Sequence, residues 1–226
     1  ETAYLSIITF DSTAKQVVDK MKELPTASSQ LYFLRFWIPE HKDRDDIGDA
    51  VEYAVSLVID TSTISMPKVT FLQLFCQPLP VMDSSQVQRV LGMLDAVVEN
   101  IKFPTIEYVE LMILVISAVV KYSKEDAKNR LQTLYLEILD LKDKALQAHC
   151  KALLLRDFEK LGDRREVEVW LSTGYQLQTE IYNDVVEVLN NSAYHLKVVE
   201  GPIKALVCTA PTFVRDVIAK INTEER

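Results

Sequence analysis

The sequence predicts an all-α protein of stacked antiparallel helix pairs, an α-solenoid, with an irregular helical bundle as the alternative architecture. Three observations carry that prediction. Helix-opening residues recur at Asp11, Asp46, Asp83, Ser123 and Asp163, spaced 35, 37, 40 and 40 residues apart, which is the repeat length of helical pairs. Each opens a stretch with apolar residues at helical spacing, the mark of a helix that buries one stripe. Glycine is scarce and scattered, at positions 48, 92, 162, 174 and 201. Phosphate-binding turns of wound α/β folds need clustered glycines, so that backbone can approach the ligand. A bundle would also have amphipathic helices, but it has no need of near-constant spacing.

The first pair spans 11–38. Asp11 or Ser12 is placed to cap its first helix by accepting backbone N–H bonds, and Val17, Val18, Met21 and Leu24 form the apolar stripe. Pro25 splits the pair, and Pro39 is expected to stop the second helix. The second pair spans 46–76, with Ile47, Val51, Ala54, Val55 and Val58 on one face and Pro67 at a first helical turn. Pro78 and Pro80 then force a break. The third pair, 84–122, buries Val87, Val90, Leu91, Leu94, Val97 and Val98 from its first helix, while its second is apolar nearly all round.

That second helix holds the longest apolar run, from Leu111 to Val120 with only Ser117 intervening. Ten helical residues rise about 15 Å, half the hydrocarbon thickness of a bilayer, so the run reads as a buried core helix and no transmembrane segment is expected. Ser123, with Asp126 three residues on, makes a start resembling a capping box for the fourth pair, 123–161. Beyond it the pattern is less regular. Arg164–Leu171 reads as a short helix, although the alternation of Val167, Val169 and Leu171 also fits a strand. The remaining pairs are set at 164–189 and 192–221. Ala210-Pro211-Thr212-Phe213-Val214-Arg215 resembles the Pro-x-x-Val-Arg signature of HEAT repeats, which implies a HEAT-like solenoid. The expectation is therefore a single helical-repeat domain over 1–226, excised from a longer protein because it opens at Glu1 with neither an initiator methionine nor a signal peptide.

Composition narrows the function. With 48% hydrophobic and 26% charged residues the chain is expected to fold. A net charge of −8 disfavours broad nucleic-acid binding, which needs cations to displace phosphate counterions. Cys76, Cys150 and Cys208 are odd in number and far apart, neither a disulfide framework nor a metal-ligand spacing, so an intracellular protein, cytoplasmic or nuclear, is expected.

No arrangement of residues invites catalysis. Adjacent His149 and Cys150 would point about 100° apart on a helix and cannot act as base and nucleophile. Cys150, beside Leu146, Leu153 and Leu154, reads as a small buried hydrophobe. The run 40–46 looks superficially like a calcium loop, but counted from Asp43 the twelfth position is Ala54, which cannot bind the ion. That acidic stretch is a solvated loop or a dock for a basic partner segment.

Two features suit recognition. Residues 142–165 carry seven basic against four acidic residues, and Arg156, Lys160 and Arg164 fall at i, i+4 spacing, aligned as a ridge if one helix persists past Gly162. The run 31–38 is too apolar to be exposed on all sides, and any aromatic left outside would be a natural binding anchor. The expectation is a non-catalytic scaffold or adaptor, with no cofactor and no metal, that binds a peptide or helix of a protein partner. Its expected contacts are Lys151, Arg156, Lys160, Arg164 and Trp37. The alternatives are a helical sheath for lipid or another apolar ligand, and a nucleic-acid-binding helical repeat using the basic ridge.

Overall fold

The computed structural model describes residues 12–60, 68–98, 105–161 and 164–171. It also describes positions 180, 183, 184, 187, 200, 201, 203, 204, 207, 212, 214, 215 and 219. Every regular element among them is helical, and none is a strand. The chain divides into two compact units, Glu1–Lys102 and Phe103–Arg226. The division falls inside the stretch 84–122 that the spacing assigns to one helix pair.

The first unit contains α1 (Ala14–Lys22), α2 (Ala27–Glu40), α3 (Gly48–Asp60), α4 (Lys68–Phe75), a 3-10 turn at Leu79–Val81 and α5 (Ser84–Val98). The N-cap of α1 is Thr13; Asp11 lies outside the described residues. The Thr13 hydroxyl accepts from the Gln16 N–H and the Gln16 side chain accepts from the Thr13 N–H, a complete capping box. Thr26 caps α2 in the same way through the Ser29 N–H. α2 does not stop before Pro39 but ends one residue after it, at Glu40. A proline so close to a helix end denies the helix only one late hydrogen bond, to the Arg35 carbonyl, and the His41 N–H closes the turn onto Trp37 and Ile38.

Asp46 serves a different helix from the one it precedes. Its carboxylate accepts the Ala14 N–H of α1 at 2.8 Å, 32 residues away, while Arg44 grips it from the side at 2.8 Å. That arginine holds the Asp46 carboxyl below its usual range, helped by the Ala14 bond and opposed by partial burial. Packing follows a skip of two: α1 lies on α3, α3 on α5, and α2 on α4, while α3 also touches α2 and α4. Val17, Met21, Leu34, Ile38, Val51, Val55, Leu72, Phe75, Val90 and Leu94 are among the side chains that fill the centre. Each buried aliphatic chain of this kind contributes about 1.5–3 kcal/mol. Gln30 crosses the layer, donating to the Leu24 carbonyl and accepting from the Tyr53 hydroxyl at 2.7 Å.

The second unit contains α6 (Ile106–Val119), α7 (Lys124–Leu139), α8 (Lys144–Arg156), α9 (Phe158–Leu161) and α10 (Arg164–Trp170). α6 is buried nearly all round, as its apolar run predicts. Among the described residues no helix is long and apolar enough to cross a membrane. Ser123 caps α7 through the Asp126 N–H, but the Asp126 carboxylate turns forward to Arg130 rather than back to complete a box. α6 packs on α7 and α8, α7 on α8 and α10, and the short α9 touches α6, α8 and α10.

Buried Gln147 donates to the Leu139 carbonyl at 2.8 Å and to the Ile138 carbonyl at 3.2 Å, satisfying the open end of α7. Lys124 to Glu166 at 3.1 Å, and Gln132 to the Trp170 carbonyl at 2.7 Å, fasten α10 along α7. The stretch Arg164–Trp170 is thus helical, not a strand, and Leu171 follows it as a turn. Of the expected pairs 164–189 and 192–221, most residues lie outside those described, Pro211 and Phe213 of the HEAT-like motif among them. Thr212, Val214 and Arg215 of that motif are helical, and Val214 is buried.

Candidate functional site

The predicted basic ridge does not form as one helical row. The helix that should carry it breaks at Asp157, which leaves helical geometry at φ −105° and ψ 12° and separates α8 from α9. Arg156 and Lys160 therefore do not align by helical periodicity. They meet because both grip the Asp157 carboxylate, each at 2.6 Å. That carboxylate is 4% exposed, whereas Lys160 is 66% exposed and Arg156 35%, so the anion is sunk and its two cations roof it. Arg156 also lies 3.7 Å from Glu110 of α6. Burial raises the Glu110 carboxyl, with Arg156 acting the other way. Arg164 begins α10, on a separate helix from Arg156 and Lys160; Gly162 and Asp163 lie outside the described residues.

Lys151 is not on this surface. Its side chain is 6% exposed and donates to Asp184 at 2.7 Å. The signal for this was present, since Lys151 lies among Ala148, Ala152 and Leu154 on an α8 that is buried over most of its circumference. Close by in the same unit, the Tyr135 hydroxyl donates to Glu180 at 3.0 Å. Burial raises the Tyr135 phenol, with Glu180 and Asp184 adding to it. Lys151, Arg156 and Lys160 thus each face a carboxylate already, which reduces the charge left over for phosphate.

Trp37 is buried as well, at 6% exposure, with its indole stacked on His41 at 4.4 Å between centroids. It packs the core rather than standing open as an anchor. The same helix puts other rings outside. On α2, Leu31, Leu34, Trp37 and Ile38 face inward, and Tyr32 and Phe36 face outward at 63% and 50% exposure. The two rings meet edge to face at 5.4 Å. The Arg35 guanidinium lies over both, 5.5 Å from the Tyr32 centroid and 4.8 Å from that of Phe36. Tyr32, Arg35 and Phe36 follow the i, i+3, i+4 rule for a shared helix face. The sequence holds this pattern, and the i, i+3, i+4 spacing rather than ring size marks the outward face.

Of the three cysteines, Cys208 lies outside the described residues and the other two are closed off. Cys76 and Cys150 have no exposed surface; burial raises both thiols, that of Cys150 to about 12. The reactive species of cysteine is the thiolate, so neither is primed for attack. His149 is held below its ordinary pKa by burial first and by the charge of Arg156 second. Its ring packs so close to Gly201 that a Cβ there would collide with the imidazole. Among the described residues, no group of three or more His, Cys, Asp or Glu side chains is arranged to hold a metal ion. No protein-family model, curated protein or solved structure matches the chain.

Proposed function

We propose that this chain is a non-catalytic interaction module, with helix pairs stacked in the manner of an α-solenoid, that presents α2 to a peptide or helix of a protein partner. The stacked reading is supported by the skip-of-two packing, in which α1, α3 and α5 form one row and α2 and α4 another. It is supported too by ties that reach from one pair to the next: Asp46 to Ala14, Glu52 to Arg89, and Lys124 to Glu166.

The observation that carries the binding role is the exposure of Tyr32 and Phe36 side by side, on a helix whose other face is fully buried. Rigid rings bury a large area on docking at low conformational cost, and they are enriched among residues that dominate interface energies. Four other candidate contacts are less suited. Arg156 and Lys160 would have to leave Asp157, and Lys151 and Trp37 are inside.

The test is Tyr32→Ser/Phe36→Ser, a pair of changes at exposed positions that should leave the helical circular dichroism and Tm unchanged. Complexes purified from cells are weighed by native mass spectrometry. The expected result is a stoichiometric partner on the wild-type chain that is absent from the double variant. A partner retained by the variant, or a wild-type chain recovered alone, overturns the reading.

A further inference from the structure

Among the described residues, four arginines are matched to carboxylates. Arg44 pairs with Asp46, Arg89 with Glu52, Arg130 with Asp126, and Arg156 with Asp157 and Glu110. The chain has 33 acidic residues against 25 basic ones, so carboxylates are plentiful. Arg35 departs from that pattern. Its guanidinium lies against the rings of Tyr32 and Phe36, and among the described residues it meets no carboxylate.

A guanidinium drawn to ring faces by its charge still carries five N–H donors in a planar fork, and a ring accepts none of them as a carboxylate would. A fork of that shape matches a carboxylate through two parallel hydrogen bonds. The rings that hold it still are themselves half or more exposed, so an apolar side chain can cover them in the same encounter. Covering the rings also displaces water from around the guanidinium, which strengthens any charge pair formed there.

We infer that Tyr32, Arg35 and Phe36 form a recognition site for an acidic peptide, one that presents an aspartate or glutamate carboxylate to Arg35 beside an apolar side chain that covers the two rings. This names the partner chemistry of the proposed interaction module and rests on that reading. A lysine in place of Arg35 would keep the charge and lose the fork, so the site distinguishes the two basic residues.

The probe is a random twelve-residue peptide display library, selected on the wild-type chain with the Tyr32→Ser/Phe36→Ser variant as counter-selection. The expected result is a consensus with Asp or Glu next to Leu, Ile, Phe or Trp. Synthetic peptides of that consensus should lose at least tenfold in affinity when their acid is changed to the amide. They should lose as much against Arg35→Gln, and an intermediate amount against Arg35→Lys. Two outcomes overturn the inference in different ways. A ring-dependent consensus without an acid, or one indifferent to Arg35→Gln, leaves α2 as a docking helix and removes the carboxylate. No ring-dependent consensus at all removes both.

Discussion

Lys151 offers the most direct quantitative check on the second unit. Lys151→Ala deletes the cation from a pair at 2.7 Å whose side chains are 6% and 17% exposed, and so leaves a largely covered Asp184 without its counter-charge. Removing one partner of a buried pair costs about 3–5 kcal/mol, and the partial access of Asp184 to water puts this case near the low end, about 3 kcal/mol. For a domain in this size range that corresponds to a fall in Tm of about 6–12 °C. Lys151→Met should lose nearly as much, because the orphaned carboxylate remains. Combining Lys151→Met with Asp184→Leu removes both charges and should return the chain to within about 1 kcal/mol of wild type, since apolar replacement of a buried pair is often neutral. Urea unfolding of the wild type, both single variants and the double variant gives the coupling energy, expected to be about 2 kcal/mol or more. A Lys151→Ala chain with a Tm within about 1 °C of wild type would refute the reasoning, because that is how a solvated surface lysine behaves.

Asp157→Asn keeps the shape of the side chain at the α8–α9 break but weakens two charge-assisted bonds, at an expected cost of about 1–2 kcal/mol because Arg156 and Lys160 can rehydrate. Mass-spectrometric mapping of lysine acylation should show Lys160 reacting faster in that variant; an unchanged rate means the carboxylate was not restraining it. The half-buried His149 predicts acid sensitivity. Its folded pKa lies below the unfolded value of 6.5, so the unfolded chain takes up the proton first as pH falls. Stability is therefore full above about pH 6.5 and declines as pH drops toward the folded pKa. Urea midpoints between about pH 7.5 and 5.5 should fall less steeply for His149→Gln than for wild type. Parallel slopes would assign the titration elsewhere.

Helix placement was readable because it is written in local chemistry. The cap at Ser123, the apolar stripe of α3 and the all-round burial of α6 each follow from side chains within a few residues of one another. What could not be read was tertiary. Asp46 looks like a cap for the helix it precedes, yet it bonds the start of α1, because a carboxylate is satisfied by whichever N–H the fold delivers. The spacing of Arg156 and Lys160 suggested a continuous ridge. The buried Asp157 instead breaks the helix and gathers both cations around itself. Lys151 reads as surface by residue type alone, and only the arrival of Asp184 from 33 residues away explains why it can be inside. On α2 the apolar run showed only that one side of the helix must be covered. Which aromatic fell on which side depended on where the buried stripe was centred, and α3 and α4 decide that by packing against it.

The two sealed thiols have a use that their chemistry alone does not suggest. Cys76 lies in the first unit and Cys150 in the second, and each is wholly covered. An alkylating reagent must wait for the surrounding structure to open, so the labelling rate at each sulfur reports the free energy of that opening. In a Cys208→Ser background, mass spectrometry can follow both sites in one sample. Rates that rise in step under mild denaturant mean that the two halves open as one cooperative body. Rates that diverge mean that each half breathes on its own, with a separate opening energy for each.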